Sequence, residues 1–135
     1  MATNYKAIAK KLKLEGRAFI NGKYVNAIDG NKFESINPAT GEKLCTVAKC
    51  NHKDVDLAVK VSRKVFDSGI WSRSSPEHRK EVLLKLAELL RKNGIENSVL
   101  ECVDTGKLIT DCLNEVANDA PMHFQWYGEL IDKVF

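Results

Sequence analysis

The sequence predicts an α+β chain, mostly helical, in which two small β-hairpin-like elements come first and about four helices follow. Two observations carry that expectation. Up to Ala48 the apolar residues come in short β-prone runs broken by Gly, Asn and Pro, whereas after Asn51 they recur at three- and four-residue steps. A third observation limits it: the first part has no strand–helix–strand crossover, so its pattern does not spell a nucleotide-binding unit.

Residues 1–16 are expected to form a helical N-terminal extension. Lys6, Lys10, Lys11 and Lys13 occur there without an acid before Glu15, and Ile8 and Leu12 lie one helical turn apart near Tyr5. Such a stretch fits a terminal helix packed on the body, a surface-binding helix or an organelle-targeting peptide, although targeting peptides favour Arg and Ser and Met1–Leu14 has neither. Next, Asn21-Gly22 separates the runs Phe19-Ile20 and Tyr24-Val25, and a two-residue type I′ turn needs residues that tolerate positive φ. A second antiparallel pair is expected from Phe33 to Ile36 and from Lys43 to Ala48, joined by the turn-rich Asn37-Pro38-Ala39-Thr40-Gly41-Glu42.

The helices follow. Asn51 is the expected N-cap of the first, with Asp54 three residues on; Val55, Ala58, Val59, Ser62, Val65 and Phe66 mark one buried face, and Gly69 ends the run. Ser75 as N-cap and Pro76 at the first helical position start the second, whose stripe is Val82, Leu83, Leu86, Leu89 and Leu90 before Asn93-Gly94. Ile95, Val99, Leu100 and Val103 line a shorter third helix closed by Asp104-Thr105-Gly106, with Gly106 in the left-handed region. A fourth should run from about Thr110 onward, kinked near Asn118 to Ala120 because Pro121 removes a backbone donor and crowds the preceding turn. Helices of this length draw most of their stability from tertiary packing, so each stripe needs a neighbour.

Composition narrows the chemistry. The 21 basic and 18 acidic side chains leave a formal charge of +3, too small an imbalance for a nucleic-acid footprint. No apolar run approaches the roughly 20 residues of a membrane span. Cys45, Cys50, Cys102 and Cys112 form no C-x-x-C pair, and no secretory leader pattern stands at the start, which points to a reducing cytosol. His52, His78 and His123 lie far apart and are read as ordinary histidines. Neither G-x-G-x-x-G nor a P-loop occurs. Cys112 should sit in a first helical turn, where the dipole would lower its pKa while Asp111 and Glu115 push it up; none of the four cysteines reads as a nucleophile.

Phe19-Ile20-Asn21-Gly22, Asn37-Pro38-Ala39-Thr40-Gly41-Glu42, Trp71 with Ser75-Pro76 and Arg79, Glu101-Cys102-Val103-Asp104-Thr105-Gly106-Lys107, and Trp126-Tyr127 before Ile131-Asp132-Lys133-Val134-Phe135 resemble, in order and spacing, the opening part of the aldehyde dehydrogenase superfamily. The likeness covers residues 17–135, and within the superfamily it is greatest to the dehydrogenases of γ-glutamyl-γ-aminobutyraldehyde and related amino-aldehydes. Where the family usually has proline after Gly-Lys, this sequence has Leu108. The resemblance implies that residues 17–135 are the incomplete N-terminal part of a Rossmann-like nucleotide-binding domain. The intact enzyme would use NAD or NADP and oxidise a small-molecule aldehyde to the acid through a cysteine thioester. It also implies that the cysteine nucleophile, the general-base glutamate, the oxyanion asparagine and the phosphate loop lie downstream. No catalytic or cofactor-binding residue is therefore expected here, and the chain alone should be inactive and bind no NAD.

Two sites follow from the resemblance. The carbonyl oxygens of Ser35 and Ile36 and the carboxylate of Asp104 match positions that hold a structural sodium or potassium ion in many relatives, although Asp104 could equally just close a helix. Asp111, Glu115 and Asp119 recur at i, i+4 and i+8, a like-charge ladder on one helix face. In the amino-aldehyde enzymes this helix borders the substrate entrance, so the ladder reads as an acidic funnel for ammonium-bearing aldehydes or, alternatively, as a solvated face. Apolar helix faces left without partners should drive self-association. A different reading makes the chain a stand-alone module that docks on full-length subunits or on another protein.

Overall fold

The computed structural model describes residues 3–133. The elements, in chain order, are α1 (Tyr5–Ala9), β1 (Ala18–Ile20), β2 (Lys23–Val25), β3 (Lys32–Ile36), β4 (Lys43–Ala48), α2 (His52–Ser68), α3 (Pro76–Lys92), α4 (Gly94–Thr105), α5 (Ile109–Cys112), a π-helical segment (Leu113–Asp119) and α6 (Ala120–Leu130). The strands form two separate antiparallel pairs, β1–β2 and β3–β4. The mostly helical α+β expectation is met, and the chain divides into two compact units.

One unit holds Lys13–Ile36 and Gly41–Ser74. Its first hairpin turns at Asn21 (φ 55°) and Gly22 (φ 75°), two consecutive positive φ values that define the expected type I′ turn and match the strand twist. Phe19 faces Tyr24 across the ladder with ring centroids 5.1 Å apart, edge to face, and the Arg17 guanidinium lies 5.6 Å from the Tyr24 ring centre. In the second hairpin Ser35 pairs with Cys45 but Ile36 with Lys43, so a bulge interrupts the register there. Helix α2 opens with a full capping box: the Asn51 side chain accepts from Lys53 N–H at 2.8 Å, and the Asp54 carboxylate accepts from Asn51 N–H at 2.9 Å. The other Asp54 oxygen accepts from Ile28 N–H at 2.9 Å, which ties the helix start to the chain leaving the first hairpin.

The expected buried face of α2 is absent. Val55, Val59, Val65 and Phe66 are 57%, 61%, 45% and 59% exposed, and the helix's one buried residue is Asp54. The periodicity is real, but of the expected face only Ala58 is half-buried, and the contact of α2 with β1 leaves its large apolar side chains exposed.

The other unit contains Asn37–Thr40, the described residues before Lys13 and those from Ser75 onward. Ser75 caps α3 through His78 N–H, with Pro76 leading the helix as expected. Helix α3 packs on α6, where Gly128 sits against Leu83 and Leu84. The covered face of α3 is therefore Leu83, Leu84, Ala87 and Leu90, shifted around the helix from the expected stripe; Val82, Leu86 and Leu89 remain exposed. Lys80 reaches Asp132 beyond the end of α6 at 2.9 Å, and with Lys133 first and Lys80 second it holds that carboxyl at about 2. Arg91 pairs with Gln125 between the same two helices.

Helix α4 packs on the π-helical segment. Its first residue, Gly94, is buried, and a Cβ there would come within 2.8 Å of the Ala117 Cβ, so this close approach requires glycine. Ser98, fully buried, donates to Gly94 O at 2.7 Å and lies 3.1 Å from Cys112 O, joining α4 to α5. Val99 is buried as expected, while Ile95 and Leu100 are exposed. The interruption expected at Pro121 takes the form of the π-helical segment: Ala120 N–H bonds the Glu115 carbonyl five residues back, and Pro121 falls at the start of α6, where its missing donor costs least. Helix α1, capped by Asn4, packs on α4 and leaves a groove of about 610 Å³ lined by Tyr5, Ala9, Val99, Cys102, Val103 and Ile109 among others.

Candidate functional site

The acidic ladder lies on the segment that begins after Gly106, which takes the expected left-handed φ of 78°. Asp111 is on α5, and Glu115 and Asp119 are on the π-helical segment; all three are exposed. The chain also supplies a cation that the spacing argument did not include. Lys107 Nζ sits 2.6 Å from Glu115 and 3.8 Å from Glu101, and the Glu115 carboxylate is the main reason its pKa is raised. Glu115 is thus half of an ion pair, while Asp111 has the Thr110 hydroxyl 3.5 Å away. The missed signal was Lys107 itself, eight residues before Glu115, which helical periodicity on one element could not bring into register.

Ser35 and Ile36, the residues expected to offer carbonyls to a cation, end β3 at its bulge, and Asp104 lies in the last turn of α4. The first two belong to one compact unit and the third to the other.

The cysteines do not form a reactive centre. Cys112 is fully buried in α5, and that burial, followed by the neighbouring Cys102 and the acids Glu101 and Glu115, pushes its thiol up rather than down. Cys102 is half-buried and donates to Lys107 O at 3.1 Å. Cys45 is half-buried and Cys50 exposed. Among the described residues no group of three His, Cys, Asp or Glu side chains is placed to hold a metal.

Neither α2 nor α3 offers a dinucleotide a free helix start. A pyrophosphate needs free first-turn amides at a helix N-terminus. At α2 the Asn51 and Asp54 side chains already take backbone donors, and Asp54 places a carboxylate where a phosphate would have to sit. At α3 the first turn begins with Pro76, which has no N–H, and Ser75 Oγ takes the amide of His78. Among the described residues no helix is long and apolar enough to cross a membrane.

Two small antiparallel strand pairs followed by a run of helices define a mostly helical α+β arrangement. The family model described as the aldehyde dehydrogenase family matches residues 24–135, and the chain belongs to that family. An aminoacetaldehyde dehydrogenase of Pseudomonas aeruginosa is 44% identical over 131 residues, 97% of this chain and 26% of the relative. The indole-3-acetaldehyde dehydrogenase AldA of P. syringae, solved as a C302A mutant with NAD+ and IAA, superposes with a TM-score of 0.93 at 41% identity, over 97% of this chain and 26% of that one. The γ-glutamyl-γ-aminobutyraldehyde dehydrogenase of Burkholderia cenocepacia gives 0.92 at 40%, over 96% and 26%. The chain thus spans about a quarter of the length of the relatives it matches, from their N-terminal side, and the amino-aldehyde dehydrogenases are among those similar to it.

Proposed function

We propose that these 135 residues are the N-terminal scaffold of an NAD(P)-dependent aldehyde dehydrogenase and that, by themselves, they oxidise nothing. One observation carries the reading: the described fold superposes on its counterpart in an NAD+-bound dehydrogenase over 97% of this chain but only 26% of that one. No step of the oxidation is assigned to residues of this chain. Their part is to present α2, α3 and α6 to the rest of the enzyme and to set the charge along the segment after Gly106. The test is a single-chain fusion in which this sequence replaces the matched N-terminal portion of the P. aeruginosa relative. The fusion should reduce NAD+ or NADP+ when given an aldehyde, and the 135-residue chain alone should not. An inactive fusion, or an active lone chain, would refute the reading.

The substrate class is proposed as an aldehyde bearing a distant ammonium group. What supports it is the row Asp111, Glu115 and Asp119, exposed on consecutive turns. Sequence similarity does not decide it, because the P. syringae enzyme named for indole-3-acetaldehyde is nearly as identical to this chain as the one named for aminoacetaldehyde. In the fusion, Glu115→Gln should raise KM for cationic aldehydes by about threefold or more and leave neutral ones nearly unchanged. It should act more strongly than Asp119→Asn, because it also strips Lys107 of its nearer partner. Equal effects on both aldehyde classes would leave the row as a solvated face.

The monovalent-cation set of Ser35, Ile36 and Asp104 is proposed on the resemblance alone. Exchanging sodium for a bulky organic cation should lower the fusion's Tm, and Asp104→Ala should remove that sensitivity. Identical melting curves in the two salts would reject the site.

A further inference from the structure

Asparagine is followed by glycine twice in the chain, at Asn21-Gly22 and Asn93-Gly94, and aspartate by glycine once, at Asp29-Gly30. At such pairs a peptide chain can modify itself: the nitrogen of the glycine, unhindered by any Cβ, attacks the preceding side-chain carbonyl carbon and closes an imide ring. The reaction needs a side chain free to swing, a glycine amide open to base, and a backbone that leaves its native dihedral angles long enough for the ring to close.

Two of the three pairs are locked. Asn93 Nδ2 donates to Leu89 O at 2.8 Å, and Gly94 is buried against Ala117 where α4 meets the π-helical segment, so ring closure requires that packed region to open. The Asp29 carboxylate accepts from Asn31 N–H at 2.9 Å and from the side-chain amides of Asn31 and Asn51 at 2.8 and 2.9 Å. The Asn31 backbone amide first, then Asn51, lowers its pKa, and an ionised carboxylate is a poor electrophile. Gly30 N–H is itself held by Ala27 O at 2.9 Å.

Asn21-Gly22 carries neither restraint. Both residues are exposed, nothing lies within 4 Å of the place a Gly22 Cβ would take, and with Ile20 paired to Lys23 the Gly22 N–H stands outside the strand ladder. Among the described residues Asn21 is also the one non-glycine residue at positive φ. The closed type I′ turn keeps the Gly22 nitrogen away from the Asn21 side-chain carbon, so the ring closes when the turn opens. Opening it breaks only the pairing of two three-residue strands, and a two-stranded hairpin is marginal by itself.

We propose that Asn21 is a self-modification site of this chain: the Gly22 nitrogen displaces ammonia from Asn21 Cγ, and water then opens the imide to aspartate or isoaspartate. The Gly22 amide proton passes to solvent base, the departing nitrogen takes up a proton and leaves as ammonia, and one water is consumed in opening the ring; no oxidant takes part. Isoaspartate inserts an extra carbon into the main chain inside the turn, so β1 and β2 no longer close in register. The Phe19–Tyr24 ring contact and the Arg17 guanidinium on the Tyr24 ring depend on that register and are lost with it. The hairpin is a one-way switch set by time and hydroxide, and its product has the chemistry that isoaspartyl-methylating enzymes recognise.

The experiment incubates the purified 135-residue chain at neutral and mildly alkaline pH, with and without urea, and follows each pair by peptide mass spectrometry. Transfer of labelled methyl groups by a protein isoaspartyl methyltransferase identifies the isoaspartyl product. In buffer Asn21 should convert at least about tenfold faster than Asn93, a ratio set by the cost of opening each site, and Asp29 should stay unmodified. In urea that unfolds the chain, the two Asn-Gly pairs should convert at similar rates. The rate at Asn21 should rise with pH. The modified chain should elute earlier from a cation exchanger and lose hydrogen-exchange protection in β1–β2, while α3 and α6 keep theirs. Asn21→Gly retains a residue suited to positive φ and should remove both the charge change and most of the methyl acceptance. The proposal is overturned if Asn21 and Asn93 convert equally in buffer, if Asn21 keeps its amide there while converting in urea, if the modified chain exchanges like the parent, or if Asn21→Gly accepts methyl groups as fast as the parent.

Discussion

Helices α2 and α3 are each seventeen residues long, each starts with a side-chain cap, and each carries an apolar stripe, yet they are held in different ways. Helix α3 lies in a helical pack in which small residues let backbones approach: Gly128 meets Leu83 and Leu84, Ala87 is 1% exposed, and neighbouring α4 begins with Gly94 pressed on Ala117. Helix α2 is fixed from its polar end. The Asp54 carboxylate takes Asn51 N–H and Ile28 N–H, and Asn51 Nδ2 donates to Asp29, whose own pKa is lowered by the Asn31 backbone amide and by Asn51. An apolar stripe records that a face is meant to be covered. It does not say that the cover lies within the same 135 residues.

The sharpest way to break this comparison is Asp54→Ala. The substitution removes half the capping box and leaves the Ile28 and Asn51 amides, now part-buried, without an acceptor, a loss of about 3 kcal/mol. Residue-resolved hydrogen exchange should show amides of α2 and of β1–β2 opening first, with those of α3 and α6 keeping their protection. If α3 and α6 lose protection to the same degree, α2 is not held chiefly by its polar end and the contrast fails.

Gly94→Ala probes the other side at a smaller magnitude. A methyl group must enter a gap where the Ala117 Cβ is 2.8 Å and its Cα 3.1 Å from the ideal Cβ position, so α4 and the π-helical segment must part slightly. Overpacking of this kind costs about 2 kcal/mol, read as a shift in the urea midpoint at constant slope. A neutral result would mean that the small-residue contacts do not hold this region as described. The same substitution at an exposed helix start would be close to neutral, which makes it a clean measure of packing.

Much of the fold was legible because local chemistry dictates it. Asn21-Gly22 can serve a tight hairpin at little strain, Asn51 with Asp54 can close a capping box, and Ser75-Pro76 can open a helix, whatever surrounds them. What was not legible depends on partners distant in sequence. The stripe on α3 turned out to straddle two faces: Leu83, Leu84, Ala87 and Leu90 are covered, with Leu83 and Leu84 against Gly128 of α6, while Val82, Leu86 and Leu89 are exposed. Pro121 announced an interruption without revealing that a seven-residue π-helical segment would absorb it. At the candidate site the three acids were visible as a pattern, but the Lys107–Glu115 pair was not, since it closes across the turn at Gly106. Ser98 gave no signal at all: a serine on the apolar side of a helix looks neutral until two carbonyls are found facing it.

The smallest effect is expected at Leu108, which follows Gly106-Lys107. Leu108 precedes α5 with φ −63° and ψ 139°, a φ that a proline ring already imposes. Its side chain is 70% exposed, so little packing is lost by replacing it. Leu108→Pro therefore leaves the native turn as it is and removes conformations only from the unfolded chain. The expected gain is about 0.4–1 kcal/mol, seen as a small rise in Tm with the exchange pattern of α4 and α5 unchanged. A loss of stability would mean that the leucine backbone does work a proline cannot do in the turn leading into the acidic row. A gain would place the leucine as a substitution the turn tolerates, and would set that turn with the small-residue helical pack as a part of the molecule whose geometry does not wait for the rest of the enzyme.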